Sequence, residues 1–284
     1  MNTIRIIVDL YNALISKLKS GVIPIELHPS SVIGTVQDDP FDCWVGDEIK
    51  KALPDTEVHH SGKLTTPDIV LRRKASNTII GLEVKKLIQK SNGADPRGMT
   101  IDYNSCLPCG KALIKVSENT VEIPCFYLFA LLSPDSKSLV TSIIMDGDFL
   151  NYDFELHKEA KYSNKSEHHH GPYGEGSVRH RKMYTYPNPL NYKLNFFHLR
   201  HILIVKKHDL SEIRNNLRFT DLIIRDDRYN NSFHYFVIDN TSKSEIPTDK
   251  LPVRNDVFRA CKQRKPKERV ASMPKLDMQN RIEE

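Results

Sequence analysis

Three side chains in the run TPDIVLRRKASNTIIGLEVKK have types and spacing suited to joint chemistry: Asp68, directly after Pro67, and Glu83 with Lys85 two positions later. Fourteen residues separate the two acids. Apolar, β-branched stretches flank the polar segment Arg72-Arg73-Lys74-Ala75-Ser76-Asn77, so a hairpin is predicted that turns there and returns Glu83 to the level of Asp68. Residues two apart on a strand share a face, so Glu83 and Lys85 point to one side while Leu82 and Val84 point to the core. Carboxylates held this close repel one another unless a cation lies with them, which is best explained by a divalent metal with oxygen ligands, magnesium being the natural choice. Such an ion polarises a phosphate and activates a water. The lysine ammonium would orient that water or offset charge on a pentavalent transition state.

Elements must exist to hold these groups. In TIRIIVDLYNALISKLK, residues 3–19, Ile7, Leu10, Leu14 and Leu18 form one helical stripe, which predicts an amphipathic helix. A loop rich in Pro, Ser and Gly leads to FDCWVGDEIKKALP, where Phe41, Trp44, Ile49 and Leu53 predict a second helix over 41–53 that ends before Pro54. The period then shortens. EVHH, DIVLRRK, NTIIGLEVKKLI, KALIKV, VEIPCFYLFALL and LVTSIIMDGDFL read as consecutive strands, and HILIVKK, FTDLIIRDD and FHYFVIDN as later ones. The expected fold is α/β: a mixed central sheet flanked by helices, with a long loop or arm inserted. Residues 1–150 would hold the N-terminal helices and the catalytic core, 151–195 the arm, 196–258 the remaining strands, and 259–284 a basic tail.

Within this setting the run from Pro67 to Lys85 resembles the PD-(D/E)XK nuclease superfamily, and within it the type II restriction endonucleases. Pro67, Asp68, Glu83 and Lys85 match position for position, with Val84 as the variable apolar residue. The resemblance covers about residues 41–90 and is architectural beyond them. It implies a restriction-endonuclease-like core in which Asp68 and Glu83 bind Mg²⁺ and Lys85 assists the attacking water. It also implies an upstream acid on the preceding helix as a further catalytic group and metal ligand; Glu48 is the candidate and Asp47 the reserve. The implied activity is sequence-specific hydrolysis of double-stranded DNA, leaving 5′-phosphate ends. A homodimer matching a palindromic site and a cognate DNA methyltransferase acting on that site are implied partners, in a cytoplasmic, prokaryotic setting. A repair, recombination or structure-specific nuclease of the same fold, or a non-catalytic DNA-binding protein, is the alternative.

Composition is compatible with this. The 284 residues are 39% hydrophobic and 27% charged, which excludes a collagenous or wholly disordered chain. A net charge of +5 allows a polyanionic partner, and its distribution matters more than its total. Arg179, Arg181 and Lys182 cluster with Tyr173, Tyr184 and Tyr186 in the arm, a mixture suited to phosphate, sugar and base. Basic residues gather again from Arg259 to Arg269, where a solvated tail is an equal reading. In the segment after the hairpin, Asp102, Asn104 and Ser105 are candidates for the metal or the DNA backbone, against a plain solvent loop. His168-His169-His170 cannot all face one ion, so a chance run is expected there. Five cysteines, no signal-peptide pattern and no apolar run of membrane-spanning length point to a reducing compartment. Cys106 and Cys109 form a lone C-x-x-C without the company that zinc or redox chemistry needs, so ordinary thiols are expected.

Overall fold

The apolar stretch from Ile123 to Leu132 is too uniformly hydrophobic to have a solvated face, and it lies at the centre of the sheet, with every residue from Cys125 onward buried. The computed structural model describes residues 3–27, 40–61, 67–91, 99–102, 111–147, 149, 183–186, 201–207, 217–226, 232–239 and 272–273. The elements in chain order are α1 (Ile4–Ser16), β1 (Ile23–Pro24), α2 (Pro40–Ala52), β2 (Thr56–His60), β3 (Ile69–Arg73), β4 (Thr78–Ile88), β5 (Met99–Asp102), β6 (Lys111–Val116), β7 (Asn119–Leu132), β8 (Ser138–Asp146), β9 (Met183–Tyr186), β10 (His201–Lys206), β11 (Phe219–Asp226), β12 (Ser232–Asp239) and β13 (Ser272–Met273). The chain is a mixed α/β protein with a large mixed sheet and few helices. Both helices and all nine strands expected from the sequence lie where their hydrophobic patterns place them, within a few residues at the ends.

The main path of the sheet runs β11-β12-β10-β8-β7-β4-β3-β2, with β1, β6 and β13 attached beside it. The strands β2, β3 and β4 form an antiparallel meander, and β7 then joins β4 in parallel, Glu83 opposite Tyr127 and Lys85 opposite Phe129. Antiparallel β8 follows β7, and β10 lies parallel to β8. Strands from both sides of residues 151–195 therefore build one sheet. The turn between β3 and β4 starts at Lys74, later than the polar run suggests. Arg72 and Arg73 remain in β3 because each has an acid beside it: Arg72 bonds Glu57 on β2 at 2.6–2.7 Å, and Arg73 bonds Asp55 at 2.8 Å. Asn77 closes the turn at φ 51, a left-handed conformation that asparagine tolerates better than most residues.

Both described helices lie on one face of the sheet. Ile7, Leu10 and Leu14 of α1 and Phe41, Val45 and Ile49 of α2 share a buried cluster with Leu71, Ile80, Leu82, Val84, Phe126, Leu128, Ile144 and Leu203. Gly46 lets α2 approach β2, since a Cβ there would stand 2.6 Å from the His60 ring. On the opposite face Tyr127, Phe129, Ile143, Met145 and Ile204 are buried as well. No helix among the described residues is long and apolar enough to cross a membrane.

Polar groups in the helix-side core pair with one another. The Tyr11 hydroxyl donates to the His201 carbonyl at 3.1 Å, and Ser142 Oγ lies 2.8 Å from His201 Nδ1. Burial pushes the His201 imidazole down to about 4, against the opposing influence of the Gly21 backbone and the Asp239 charge. The folded chain thus resists a proton that the unfolded chain accepts below about pH 6.5. The stabilisation is full above that value and declines as pH falls toward 4, by up to about 3 kcal/mol. Urea unfolding at pH 7.5 and pH 4.5 should show this loss in the wild-type chain and a smaller one in His201→Gln; equal losses would exclude His201 as its source.

Candidate active site

Asp68 lies one residue before β3, at the point where the antiparallel ladder with β4 stops. The last pair is Ile69 with Leu82, so Asp68 stands at the level of Glu83. Its side chain takes over from the missing main chain. Oδ2 accepts the Val84 N–H at 2.8 Å, while the Asp68 carbonyl accepts the Ser61 N–H at 2.8 Å from the continuation of β2. A carboxylate that substitutes for a ladder carbonyl satisfies a buried donor and is thereby fixed in place.

Alternation along β4 sends Leu82 and Val84 into the helix-side core and leaves Glu83 and Lys85 on the other face. Glu83 is only 2% exposed there, level with the buried ring of Tyr127. Burying a carboxylate against apolar strands costs several kcal/mol unless a positive group stands beside it. Lys85 Nζ donates to Glu83 Oε1 and lies 3.9 Å from Asp68 Oδ2, with its side chain 18% exposed. Burial alone would lower the Lys85 pKa, but the charges of Glu83 and Asp68, with a smaller contribution from Asp42, outweigh it and raise the value above that of a free lysine. Lys85 is therefore protonated at neutral pH. Two carboxylates against one ammonium leave the trio at one net negative charge when all are ionised, and Asp42 adds to it.

The acid expected from the preceding helix is not where it was sought. Glu48 is buried on α2 but faces Lys17 and Lys51: Lys17 Nζ donates to Oε2, and Lys51 Nζ to Oε1 at 2.9 Å. The Lys17 contact fastens α2 to the end of α1, and the Lys51 contact lies within α2. Asp47, the reserve, is half-buried and pairs with Lys50 at 3.6 Å. Asp42, in the first turn of α2, is the helix acid whose charge acts on Lys85. It lies six positions from Glu48, on a different side of the helix. Sequence reasoning missed it because a helix pattern does not show which end approaches the hairpin.

Among the described residues no group of three or more His, Cys, Asp or Glu side chains stands close enough together to hold a metal ion. The donor set present is two carboxylates. That suits magnesium, which keeps several waters and takes one or two carboxylates plus phosphate oxygens of a substrate. Asn104, Ser105, Cys106, Cys109, His168, His169, His170, Arg179, Arg181 and Lys182 all lie outside the described residues. No family model matches the chain, and comparison with curated proteins and with solved structures finds no match.

The two helix acids should separate by variant. Glu48→Gln should lower folding stability by about 1–2 kcal/mol, the worth of hydrogen bonds to a charged group, and leave Mn²⁺ affinity unchanged. Asp42→Asn should weaken Mn²⁺ binding by roughly two- to tenfold, the effect of one charge near but not touching the ion. Titration calorimetry and urea unfolding of both variants check this; Mn²⁺ binding lost only in Glu48→Gln would reverse the assignment.

Proposed function

We propose that this chain is a magnesium-dependent DNA endonuclease of the PD-(D/E)XK type, with Asp68, Glu83 and Lys85 as its catalytic trio. One observation carries the reading: two carboxylates and an ammonium share one face at the end of the β3–β4 ladder, with more negative than positive charge among them. The antiparallel meander followed by a parallel strand supports the restriction-endonuclease-like core that the motif implies.

Asp68 and Glu83 would hold the magnesium ion. When bound, the ion supplies Lewis-acid polarisation of a phosphoryl oxygen and a lowered pKa for water. The protein's own groups do the rest. Asp68 is held by the Val84 N–H, so its carboxylate is presented without rotamer search. Glu83 is buried level with Tyr127, in a low-dielectric wall where its carboxylate acts strongly on nearby groups. Lys85 stays protonated, and its ammonium hydrogen-bonds the attacking water or offsets charge on the phosphorane as it forms.

Within this class the reading extends to a type II restriction endonuclease, cutting both strands of duplex DNA to leave 5′-phosphates. A homodimer presenting two sites, a cytoplasmic prokaryotic setting and a cognate methyltransferase that protects the same sequence go with it. A structure-specific or repair nuclease has the same trio and differs only in its product. Incubation with plasmid and Mg²⁺ is expected to yield discrete fragments with common end sequences. Asp68→Ala, Glu83→Ala and Lys85→Ala should each lower cleavage at least about a hundredfold while DNA binding persists. Undiminished cleavage by Asp68→Ala at saturating Mg²⁺ would overturn the assignment; junction- or end-dependent cutting would move it to the repair class.

A further inference from the structure

The proline before Asp68 has a seat. Gly81 lies on β4 two residues before Glu83, on the same face as Glu83 and Lys85, and Val70 of β3 is its register partner. A Cβ placed on Gly81 would stand 2.7 Å from Pro67 Cγ, 3.1 Å from Pro67 Cβ and 3.5 Å from Cys125 Sγ on the parallel strand β7. Real Cβ atoms do not approach a ring carbon so closely. Pro67 itself is buried. Its ring therefore occupies the space that any side chain at position 81 would fill.

We propose that Gly81 and Pro67 form a steric lock that positions Asp68, and that Gly81 is a positioning residue of the site without touching substrate or ion. Three constraints meet in two residues. The Pro67 ring is seated on Gly81, its φ is fixed by covalent geometry, and the next residue delivers its carboxylate to the Val84 N–H at 2.8 Å. Among the described residues the ladder with β4 has no pair beyond Ile69, so this seat, with the Val84 N–H bond, sets the height of Asp68 beside Glu83. The ring is rigid and cannot swing aside like a flexible chain end. An added methyl at position 81 must therefore lift Pro67, and Asp68 moves with it. A displacement of about 1 Å at a catalytic group can cost a hundredfold in rate.

The catalytic half of this inference rests on the nuclease reading; the lock itself does not, and the test separates them. Amide hydrogen exchange at Val84 reports whether Asp68 still accepts its N–H. In Gly81→Ala, Val84 exchange should rise at least about tenfold relative to Leu128 in the centre of β7, and Mg²⁺-dependent DNA cleavage should fall about ten- to a hundredfold. Pro67→Ala removes the ring atom at 2.7 Å. Added to Gly81→Ala, it should restore most of the Val84 protection and part of the cleavage, a coupling of opposite sign to simple damage. If Gly81→Ala does not fold, the double variant should fold, and its failure to do so overturns the lock. Unchanged Val84 exchange in folded Gly81→Ala also overturns it, whatever happens to cleavage. Wild-type protein that never cleaves DNA, combined with the expected exchange changes, supports the lock and removes the nuclease reading.

Discussion

A carboxylate buried among apolar strands needs a positive group beside it, and at Glu83 that requirement organises the surrounding structure. Glu83 is 2% exposed, on a sheet face carrying Tyr127 and Phe129. Lys85, two residues on along the same strand, answers the charge, and the strand's alternation guarantees that it faces the same way. Asp68 then enters from the neighbouring strand and tips the balance negative. Lys85 holds its proton for that reason.

The same arrangement explains why the meander stops where it does. Continued pairing of β3 with β4 past Ile69 would satisfy the Val84 N–H with a main-chain carbonyl instead of the Asp68 carboxylate. Ending the ladder at Ile69 hands the donor to Asp68. The helices contribute at a distance. By packing on the other face, α1 and α2 bury Leu82 and Val84 and so hold β4 with Glu83 and Lys85 on the opposite face. Glu48 serves that packing, tied to Lys17 and Lys51, and Asp42 adds its charge at the end of the helix nearer the trio.

Much of this was legible in the residues. Periodicity placed α1, α2 and the main strands, because apolar alternation and helical stripes are local signals. The common face of Glu83 and Lys85 followed from a spacing of two. What was not legible depends on contacts distant in sequence. The parallel pairing of β7 with β4 joins residues more than forty positions apart, and no local pattern announces it. Arg72 and Arg73 looked like turn residues because their partners, Glu57 on β2 and Asp55 just before it, lie more than a dozen positions back in the chain. Glu48 looked like a ligand because helix position alone does not show that two lysines already claim it. Gly81 sat unremarked within the strand NTIIGLEVKKLI, because only the fold shows that it is the seat of Pro67.

The central claim is that Asp68 and Glu83, on the face they share with Lys85, receive a divalent cation. A crystal soaked in Mn²⁺ and measured at a wavelength where manganese scatters anomalously tests it directly. The account predicts an anomalous peak at roughly 2.1–2.2 Å from carboxylate oxygens of both Asp68 and Glu83, with Lys85 displaced from Glu83 but still on the same face. A fully occupied manganese site elsewhere, with the Lys85 ammonium still bonded to Glu83 and no density between the two acids, would contradict it.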